Sequence, residues 1–166
     1  MTKASKIKSS LVIKVKDYFL APIIAIAYGA YCFNSESPFW LLFNVSSKII
    51  LVGMIFFIAH LVLKAVSHGF IGDNWSRLTT IYQGHVLIRE GPYRLVRHPI
   101  YLSYLLGALS VLFLSGSIVL FVLSLLYFIL NAMRANDEEK YLLLKFGSEY
   151  EKYTQETGKF FPKLKF

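Results

Sequence analysis

The sequence predicts an all-α integral membrane protein with about four transmembrane helices, two of which form a tight helical hairpin. Of its 166 residues, 55% are hydrophobic and only 17% are charged, whereas a soluble domain carries roughly 25% charged residues. The apolar residues are also concentrated in long runs, and the longest, residues 99–133, contains no charged residue. We expect residues 1–166 to form a single membrane domain.

The charged residues indicate a membrane surface rather than nucleic acid. The formal net charge is +8, but the lysines and arginines flank the apolar runs and form no stripe of their own. We therefore expect membrane lipids as neighbours and no nucleic-acid partner. The single cysteine, Cys32, excludes an internal disulfide and a cysteine-based metal site, and we predict no metal site.

The chain begins with a basic segment. Residues 1–17 carry five lysines and one aspartate. Read as a helix, this composition is typical of a segment that lies against anionic lipid headgroups. A solvated tail is the alternative for residues 1–9.

Two spans are predicted in residues 18–66. Residues 18–33 are uncharged, and a second apolar region covers residues 39–63. That region is either one long tilted helix or an interfacial segment followed by a span. We favour a helix that begins near Ser46, with Ser46 or Ser47 as its N-cap, because a serine hydroxyl can accept a hydrogen bond from the first turn.

A polar stretch, residues 64–98, follows these spans. It is too rich in glycine for one long helix, and residues 85–89 have the character of a short strand. A long connection in so small a protein is either disordered or functional, and its aromatic and apolar content argues against disorder. It leads into residues 91–101, which read Gly-Pro-Tyr-Arg-Leu-Val-Arg-His-Pro-Ile-Tyr at the edge of the longest apolar run.

The charge-free run predicts a helical hairpin. One helix of its 35 residues would be about 52 Å long, against a bilayer core of roughly 30 Å. Ser115-Gly116-Ser117 lies at its centre and predicts a tight turn. The two arms would be residues 100–114 and 118–133.

From Arg134 onward the chain is polar again. Apolar and aromatic residues recur there at helical spacing and predict a C-terminal helix that Gly147 interrupts or caps. These residues are Leu142, Leu143, Phe146, Tyr150 and Tyr153.

Lysine and arginine counts predict the topology. Five precede the first span, five fall in residues 64–98 and seven follow residue 133. With four spans, all three basic segments lie on one side, which the positive-inside rule makes cytoplasmic. We expect both termini and the active site on that face, in a bacterial inner membrane or the endoplasmic reticulum. The hairpin would bring residues 91–101 and 134–139 together there.

These two groups of polar side chains could carry chemistry. The first supplies His98 with two arginines and two tyrosines, and the second supplies Arg134 and Glu138, one helical turn apart. Each residue also has an ordinary explanation. The arginines could contact lipid phosphates, and the tyrosines could belong to an interfacial aromatic belt. Arg134 and Glu138 could form an intrahelical ion pair, and His98 before Pro99 could cap a helix. None of these explains the whole set at its fixed spacing.

The chain reads Arg97-His98-Pro99-Ile100-Tyr101-Leu102-Ser103, and Glu138-Glu139 follow beyond the hairpin. This pattern resembles the isoprenylcysteine carboxyl methyltransferase and phospholipid methyltransferase superfamily of integral membrane enzymes. That family has Arg-His-Pro-x-Tyr-x-Gly, a hydrophobic hairpin and a Glu-Glu pair, so Ser103 stands where glycine is usual. The resemblance covers about residues 69–162.

The resemblance implies S-adenosylmethionine as the methyl donor, bound in a cytosolic pocket roofed by the C-terminal helix, with residues 67–166 as the methyltransferase core. No Gly-x-Gly-x-x-Gly fingerprint is present, so a Rossmann-type methyltransferase is not indicated. By the same resemblance, the cofactor site is lined by His85, Leu87, Gly91, Tyr93, His98, Pro99, Tyr101, Glu138 and Glu139.

It also implies a lipophilic or lipidated acceptor that enters from the bilayer. Carboxyl O-methylation of an isoprenylcysteine-like substrate is the leading hypothesis, with Arg134 holding the acceptor carboxylate and Glu138 holding Arg134. In phospholipid amine N-methylation, Glu138 would instead take a proton. Two further alternatives are an NADPH-dependent sterol-type reductase, which shares the Arg-His-Pro-x-Tyr motif, and a non-enzymatic membrane scaffold.

Overall fold

The computed structural model describes residues 20–34, 43–74 and 86–163, and in these ranges the chain is helical without strands. Five α-helices follow one another: α1 (Ala21–Phe33), α2 (Ser47–Ile71), α3 (Pro99–Ser115), α4 (Ile118–Phe146) and α5 (Ser148–Glu156). Two short 3-10 helices cover Gly72–Asn74 and Gly91–Arg94. The predicted all-α class is confirmed. The basic segment predicted for residues 1–17 lies outside the described residues, as does His85.

Two of the helices are long and apolar enough to cross a membrane. They are α2, with 25 residues, and α4, with 29, whereas the apolar helices α1 and α3 are shorter. The count of four spans therefore stays a prediction. Both long helices turn apolar side chains outward. On α4 the exposed residues recur every three or four positions and so form one stripe: Val122, Leu126, Ile129 and Met133.

Helix α2 begins where the sequence indicated, because Ser46 is extended and its carbonyl accepts from the Ile50 amide at 2.9 Å. The predicted capping by the hydroxyl was wrong, since the Ser46 side chain makes no capping hydrogen bond. The predicted end was wrong, since the helix continues past residue 63 to Ile71. Two polar residues of this extension are satisfied within the helix: Ser67 Oγ donates to the Leu63 carbonyl at 2.6 Å, and His68 Nδ1 lies 2.8 Å from the Lys64 carbonyl. Gly72, with φ at +48°, ends the helix.

The predicted hairpin is confirmed. Helix α3 ends at Ser115, Gly116 adopts a left-handed φ of +64°, and α4 begins at Ile118. A side chain at Gly116 would lie 2.5 Å from the Phe43 carbonyl oxygen, so the turn needs glycine for space as well as for backbone conformation. The Ser117 hydroxyl caps α4 by accepting from the Leu120 amide.

The second arm is longer than predicted. It was expected to end at residue 133, but α4 continues to Phe146, because nothing between these positions breaks a helix. Gly147, with φ at +52°, then separates α4 from α5, as the sequence predicted. Leu142, Leu143 and Phe146 therefore belong to α4 rather than to the C-terminal helix. The second arm of the hairpin and residues 134–139 therefore lie on one continuous helix.

Residues 86–89 form no strand, contrary to prediction. The Val86 amide donates instead to the side-chain oxygen of Asn74 at 2.9 Å, and no strand lies beside it among the described residues. The chain then reaches α3 through the short helix at Gly91–Arg94.

The end of the described chain returns to the start of α3. After α5, a C-terminal segment (residues 157–163) runs beside residues 96–98, with Val96 and Gly158 paired in parallel. The Arg97 amide donates to the Gly158 carbonyl at 2.8 Å, and the His98 amide donates to the Lys159 carbonyl at 3.0 Å. This pairing fixes the residues on which the candidate site depends.

Candidate active site

His98 lies at the centre of the polar cluster. It precedes Pro99, the first residue of α3, where the fixed φ of proline suits a helix start. Its buried imidazole ring stacks on Tyr101, with centroids 5.5 Å apart and planes within 7°, and tilts against Phe160 at 5.8 Å. The ring is therefore held in one orientation by α3 on one side and by the C-terminal segment on the other.

Glu139 is bound by three positively charged or hydrogen-bonding side chains. Its Oε1 accepts from Arg97 Nε at 3.0 Å and from His98 Nε2 at 3.1 Å, and its Oε2 accepts from Lys159 Nζ at 3.0 Å. A carboxylate only accepts hydrogen bonds, so Nε2 of His98 carries a proton. Glu139 thus links α4, the start of α3 and the C-terminal segment.

Glu138 has a different environment, because the close contacts that the structure describes for it converge on one oxygen. Tyr101 Oη donates to Oε1 at 2.6 Å, and Arg134 Nε lies 2.9 Å from the same oxygen. Oε2 faces His98 Nδ1 at 3.8 Å, beyond hydrogen-bond distance. A ligand group that donates hydrogen bonds can reach Oε2 without displacing a described partner.

Arg97 ties this cluster to the end of α5. Its guanidinium contacts Glu139 through Nε and Nη2, both at 3.0 Å from Oε1. Its Nη1 donates to the carbonyl of Thr154, at 3.3 Å, and to that of Thr157. An arginine at this position satisfies helix-end carbonyls that would otherwise lack donors.

Two tyrosines fasten α5 to the loop. Tyr153 Oη donates to the Tyr93 carbonyl at 2.5 Å, and Tyr93 Oη donates to the Ser67 carbonyl at 3.4 Å. Burial raises the pKa of Tyr153 to about 12, although Arg97 and Arg89 oppose the shift. Burial also raises the pKa of Tyr93, with smaller contributions from Tyr153 and Glu138. Both phenols therefore remain protonated donors near neutral pH.

The structure brings most of the predicted site residues together. The cluster contains His98, Pro99, Tyr101, Arg134, Glu138 and Glu139. Tyr93 lies at its edge. Gly91 packs on α2 with φ at +55°, and a side chain there would lie 2.5 Å from the Phe70 ring. Leu87 is half-buried, with no contact to the cluster given by the structure. The role of these residues toward a cofactor stays a prediction.

A polar stripe on the inner face of α4 was missed. Its members recur at alternating steps of three and four residues, which places them on one face: Ser124, Tyr127, Asn131, Arg134 and Glu138. Asn131 is buried and its Nδ2 donates to the Tyr127 carbonyl at 2.7 Å. The same spacing test that predicted the C-terminal helix would have found this stripe, because the outward stripe of α4 is wholly apolar.

The stripe connects the cluster with a cleft among the apolar helices. The cleft has a volume of about 190 Å³ and is lined by Phe57, His60, Tyr104, Gly107, Ala108, Ser110, Val111, Ser124 and Tyr127. The Tyr104 ring lies 5.3 Å from the Tyr127 ring and 6.2 Å from the Tyr101 ring. Tyr104 is therefore shared between the wall of the cleft and the edge of the cluster.

The sequence model of the isoprenylcysteine carboxyl methyltransferase family matches residues 49–144, which include His98, Tyr101, Arg134 and both glutamates. The chain belongs to this family. The resemblance of the sequence to this family is thereby confirmed. Together with the two long apolar helices, membership indicates a membrane protein.

Two curated relatives extend the comparison. The chain is 32% identical over 104 residues to the cobalt-zinc-cadmium resistance protein CzcN of Cupriavidus metallidurans, a match that covers 61% of this chain and 48% of that protein. It is 39% identical over 70 residues to the protein-S-isoprenylcysteine O-methyltransferase of Schizosaccharomyces pombe, covering 42% of this chain and 30% of that protein. The matched part thus spans about half or less of the length of these relatives.

Proposed function

We propose that this protein transfers a methyl group from S-adenosylmethionine to a lipophilic acceptor, by carboxyl O-methylation of an isoprenylcysteine-like molecule. The observation that carries the proposal is the environment of Glu138. In a chain of this methyltransferase family, its carboxylate is held by Tyr101 and Arg134 and faces His98. All four groups lie at one end of the charge-free hairpin, at the start of α3 and where α4 leaves the charge-free run.

The residues present fit the proposed cofactor. S-adenosylmethionine carries an ammonium group and ribose hydroxyls, which donate hydrogen bonds, and Glu138 offers Oε2 as an acceptor. The rings of His98 and Tyr101 are stacked on each other beside this carboxylate, and Tyr101 Oη fixes its other oxygen. When bound, the cofactor supplies a methyl group on a positively charged sulfur. We assign Glu138, His98 and Tyr101 to holding it, with Glu139 fixing His98.

Arg134 is assigned to the acceptor. Its side chain is buried, and Glu138 fixes its Nε on the stripe that leads from the cleft. A guanidinium carries five donors in a planar fork that matches a carboxylate. Holding the acceptor in place is the main requirement, because a carboxylate that accepts a methyl group has no proton to lose.

The geometry favours a carboxylate acceptor over an amine. A protonated amine must lose its proton before it accepts a methyl group, and Glu138 is the base that the site offers. Its Oε1 already accepts from Tyr101 and lies 2.9 Å from Arg134 Nε, and the positive charge of that guanidinium would repel a protonated amine. Phospholipid amine N-methylation therefore ranks second. We place the site on the cytoplasmic face.

Binding and turnover of the protein purified in detergent test the proposal. Calorimetric titration with S-adenosylhomocysteine should show saturable binding, and titration with NADPH should show none. Labelled donor should then transfer methyl to a prenylcysteine in a panel with fatty acids and phospholipids. Binding of NADPH alone would favour the reductase alternative. Binding of neither compound would contradict both enzymatic functions.

A further inference from the structure

Lys159, in the C-terminal segment, contacts the surroundings of His98 through both its backbone and its side chain. Its carbonyl oxygen accepts from the His98 amide at 3.0 Å, and its Nζ donates to Glu139 Oε2 at 3.0 Å. Glu139 in turn accepts from His98 Nε2 through its other oxygen, at 3.1 Å. One lysine thus holds the backbone of the histidine directly and its ring through a carboxylate, although the proposed function gives that lysine no role.

The two oxygens of the Glu139 carboxylate have different partners. Oε1 is shared by His98 and by Arg97, whose Nε and Nη2 both lie 3.0 Å from it. Oε2 accepts from Lys159. An arginine fork can bind both oxygens of one carboxylate, and that bidentate arrangement is a strong one. Because Lys159 occupies Oε2, the carboxylate is kept from turning toward Arg97 and away from the ring.

The ammonium group of Lys159 is itself held in place. Its Nζ also donates to Asn136 Oδ1 at 2.6 Å, and Asn136 lies close to one helical turn before Glu139 on α4. The same Nζ lies 5.6 Å from the centre of the Phe160 ring, which tilts against His98. An ammonium group has three donors and can serve both acceptors at once. The position of the charge is therefore set by α4 and by the C-terminal segment together.

We propose that Lys159 is a positioning residue, which orients the His98 ring by fixing the carboxylate of Glu139. The proposal rests on the proposed function, in which His98 holds the cofactor, and it gives the C-terminal segment a share in cofactor affinity. With Lys159 in place, Glu139 Oε1 stays on Nε2 of the ring and Nδ1 stays directed toward Glu138. Without it, Arg97 can take both oxygens, and the ring loses the hydrogen bond that fixes its rotation.

The competing explanation is that Lys159 only attaches the C-terminal segment to α4. The backbone hydrogen bonds from the Arg97 and His98 amides already attach that segment without any side chain. Attachment alone predicts that other lysines of the segment matter as much as Lys159. Orientation predicts an effect that is specific to Lys159 and that is visible at the ring of His98.

Lys163 provides the matched control. It lies in the same segment, its Nζ donates to the Thr154 and Gln155 carbonyls, both at 2.8 Å, and its described hydrogen bonds do not reach Glu139. Lys159→Met and Lys163→Met each replace an ammonium group by an apolar end, whereas Lys159→Arg keeps the charge. Calorimetric titration of the full chain in detergent with S-adenosylhomocysteine measures the affinity. We expect Lys159→Met to weaken binding about tenfold, Lys159→Arg to restore most of it and Lys163→Met to leave it unchanged.

The ring of His98 gives a second readout that needs no cofactor. Imidazole N–H protons exchange rapidly with water unless a stable hydrogen bond protects them. In proton–nitrogen spectra of protein with isotope-labelled histidine, the Nε2–H signal of His98 is identified by its absence from His98→Ala. It should be visible in the unmodified protein and in Lys159→Arg, and it should broaden or disappear in Lys159→Met. The signal of His60 is the internal reference, because its Nδ1 lies 2.6 Å from the Ser103 carbonyl and it should not change.

An unchanged His98 signal in Lys159→Met would overturn the proposal. Equal losses of affinity in Lys159→Met and Lys163→Met would overturn it too, because they would show attachment alone. If Lys159→Met does not fold, Asn136→Ala decides: it removes the second acceptor of Lys159 Nζ and should weaken both the signal and, about threefold, the affinity.

The two readouts also separate this proposal from the proposed function. If the unmodified protein does not bind S-adenosylhomocysteine, the proposed function is contradicted, and the ring signal still decides whether Lys159 orients His98. If the unmodified protein binds it and the signal does not respond to Lys159→Met, the proposed function stands and the role of Lys159 does not.

Discussion

The carboxylate of Glu139 lies 3.1 Å from the imidazole Nε2 of His98, although 41 positions separate the two residues in sequence. Oε2 of the neighbouring Glu138 faces the other ring nitrogen at 3.8 Å, beyond hydrogen-bond distance. Two adjacent glutamates therefore border one ring, and among the described contacts only Glu139 is hydrogen-bonded to it. This asymmetry predicts that substitution of Glu139 lowers stability, whereas substitution of Glu138 lowers activity.

Glu139→Gln should affect stability first. The amide cannot neutralise Arg97 and Lys159, so we expect a loss on the order of 2 kcal/mol in the free energy of unfolding. Thermal unfolding in detergent measures it. Lys140→Ala on the same helix is the control, since its contact with Asp137 is exposed and is expected to contribute little. Equal unfolding midpoints for Glu139→Gln and Lys140→Ala would show that Glu139 has no structural role.

Glu138→Gln and His98→Ala should abolish methyl transfer while the folded protein persists. Both change the groups assigned to the cofactor, and we expect a decrease in turnover of at least about 100-fold. Affinity for S-adenosylhomocysteine should fall in parallel, whereas the helix content measured by far-ultraviolet circular dichroism should not change. Near-normal turnover in both variants would refute the assignment.

Arg134→Ala should discriminate between acceptors. If Arg134 holds the acceptor carboxylate, kcat/KM should fall about tenfold more for a prenylcysteine acid than for an amine of the same chain. The comparison is made on one protein preparation, so that any general loss of fold affects both acceptors alike. An equal decrease for the two would mean that Arg134 serves the fold or the cofactor.

Replacing glycine by alanine should change stability in opposite directions at two positions. At Gly116, with φ at +64°, the added methyl group would lie 2.5 Å from the Phe43 carbonyl oxygen, so we expect a loss of at least about 1 kcal/mol. At Gly69, inside α2, no atom lies within 4 Å and the change should stabilise by about 0.5–1 kcal/mol. Thermal midpoints measured in one detergent compare them. A stabilising Gly116→Ala would contradict the hairpin turn described here.

Alkaline pH should loosen α5. The Tyr153 phenol has a pKa of about 12 in the folded protein, against about 10 in an unfolded chain. Its contribution to stability is therefore complete below pH 10 and is lost as the pH rises through 12. The unfolding midpoint should fall over that interval, and less steeply in Tyr153→Phe, which lacks the titrating group. Identical pH profiles for the two proteins would rule out this linkage.

Much of the fold follows from local sequence. The hairpin was predictable because residues 99–133 lack charge and a Ser-Gly-Ser turn divides them. The end of α2 was not, because Lys64, Ser67 and His68 look like the start of a polar loop. Ser67 and His68 instead bond to carbonyls one turn back, so the helix keeps its polar side chains satisfied.

The candidate site was predictable only in part. His98, Arg134 and the two glutamates were predicted, because they belong to a recognisable sequence motif. The hairpin then predicts that residues 91–101 and 134–139 lie close together. Lys159 and Phe160 were not, since their role depends on a pairing between Val96 and Gly158 that no local pattern encodes. The polar stripe on α4 could have been predicted from its spacing. It was missed because the helix was expected to end at residue 133, before Arg134 and Glu138.

The pairing of the C-terminal segment with residues 96–98 has a consequence for truncated proteins. A chain cut before residue 157 would keep the two helices of the hairpin, but Glu139 would lack the ammonium group of Lys159 and the ring of His98 would lack Phe160. Proteolytic removal of these few residues should therefore disorder the polar cluster while the hairpin persists.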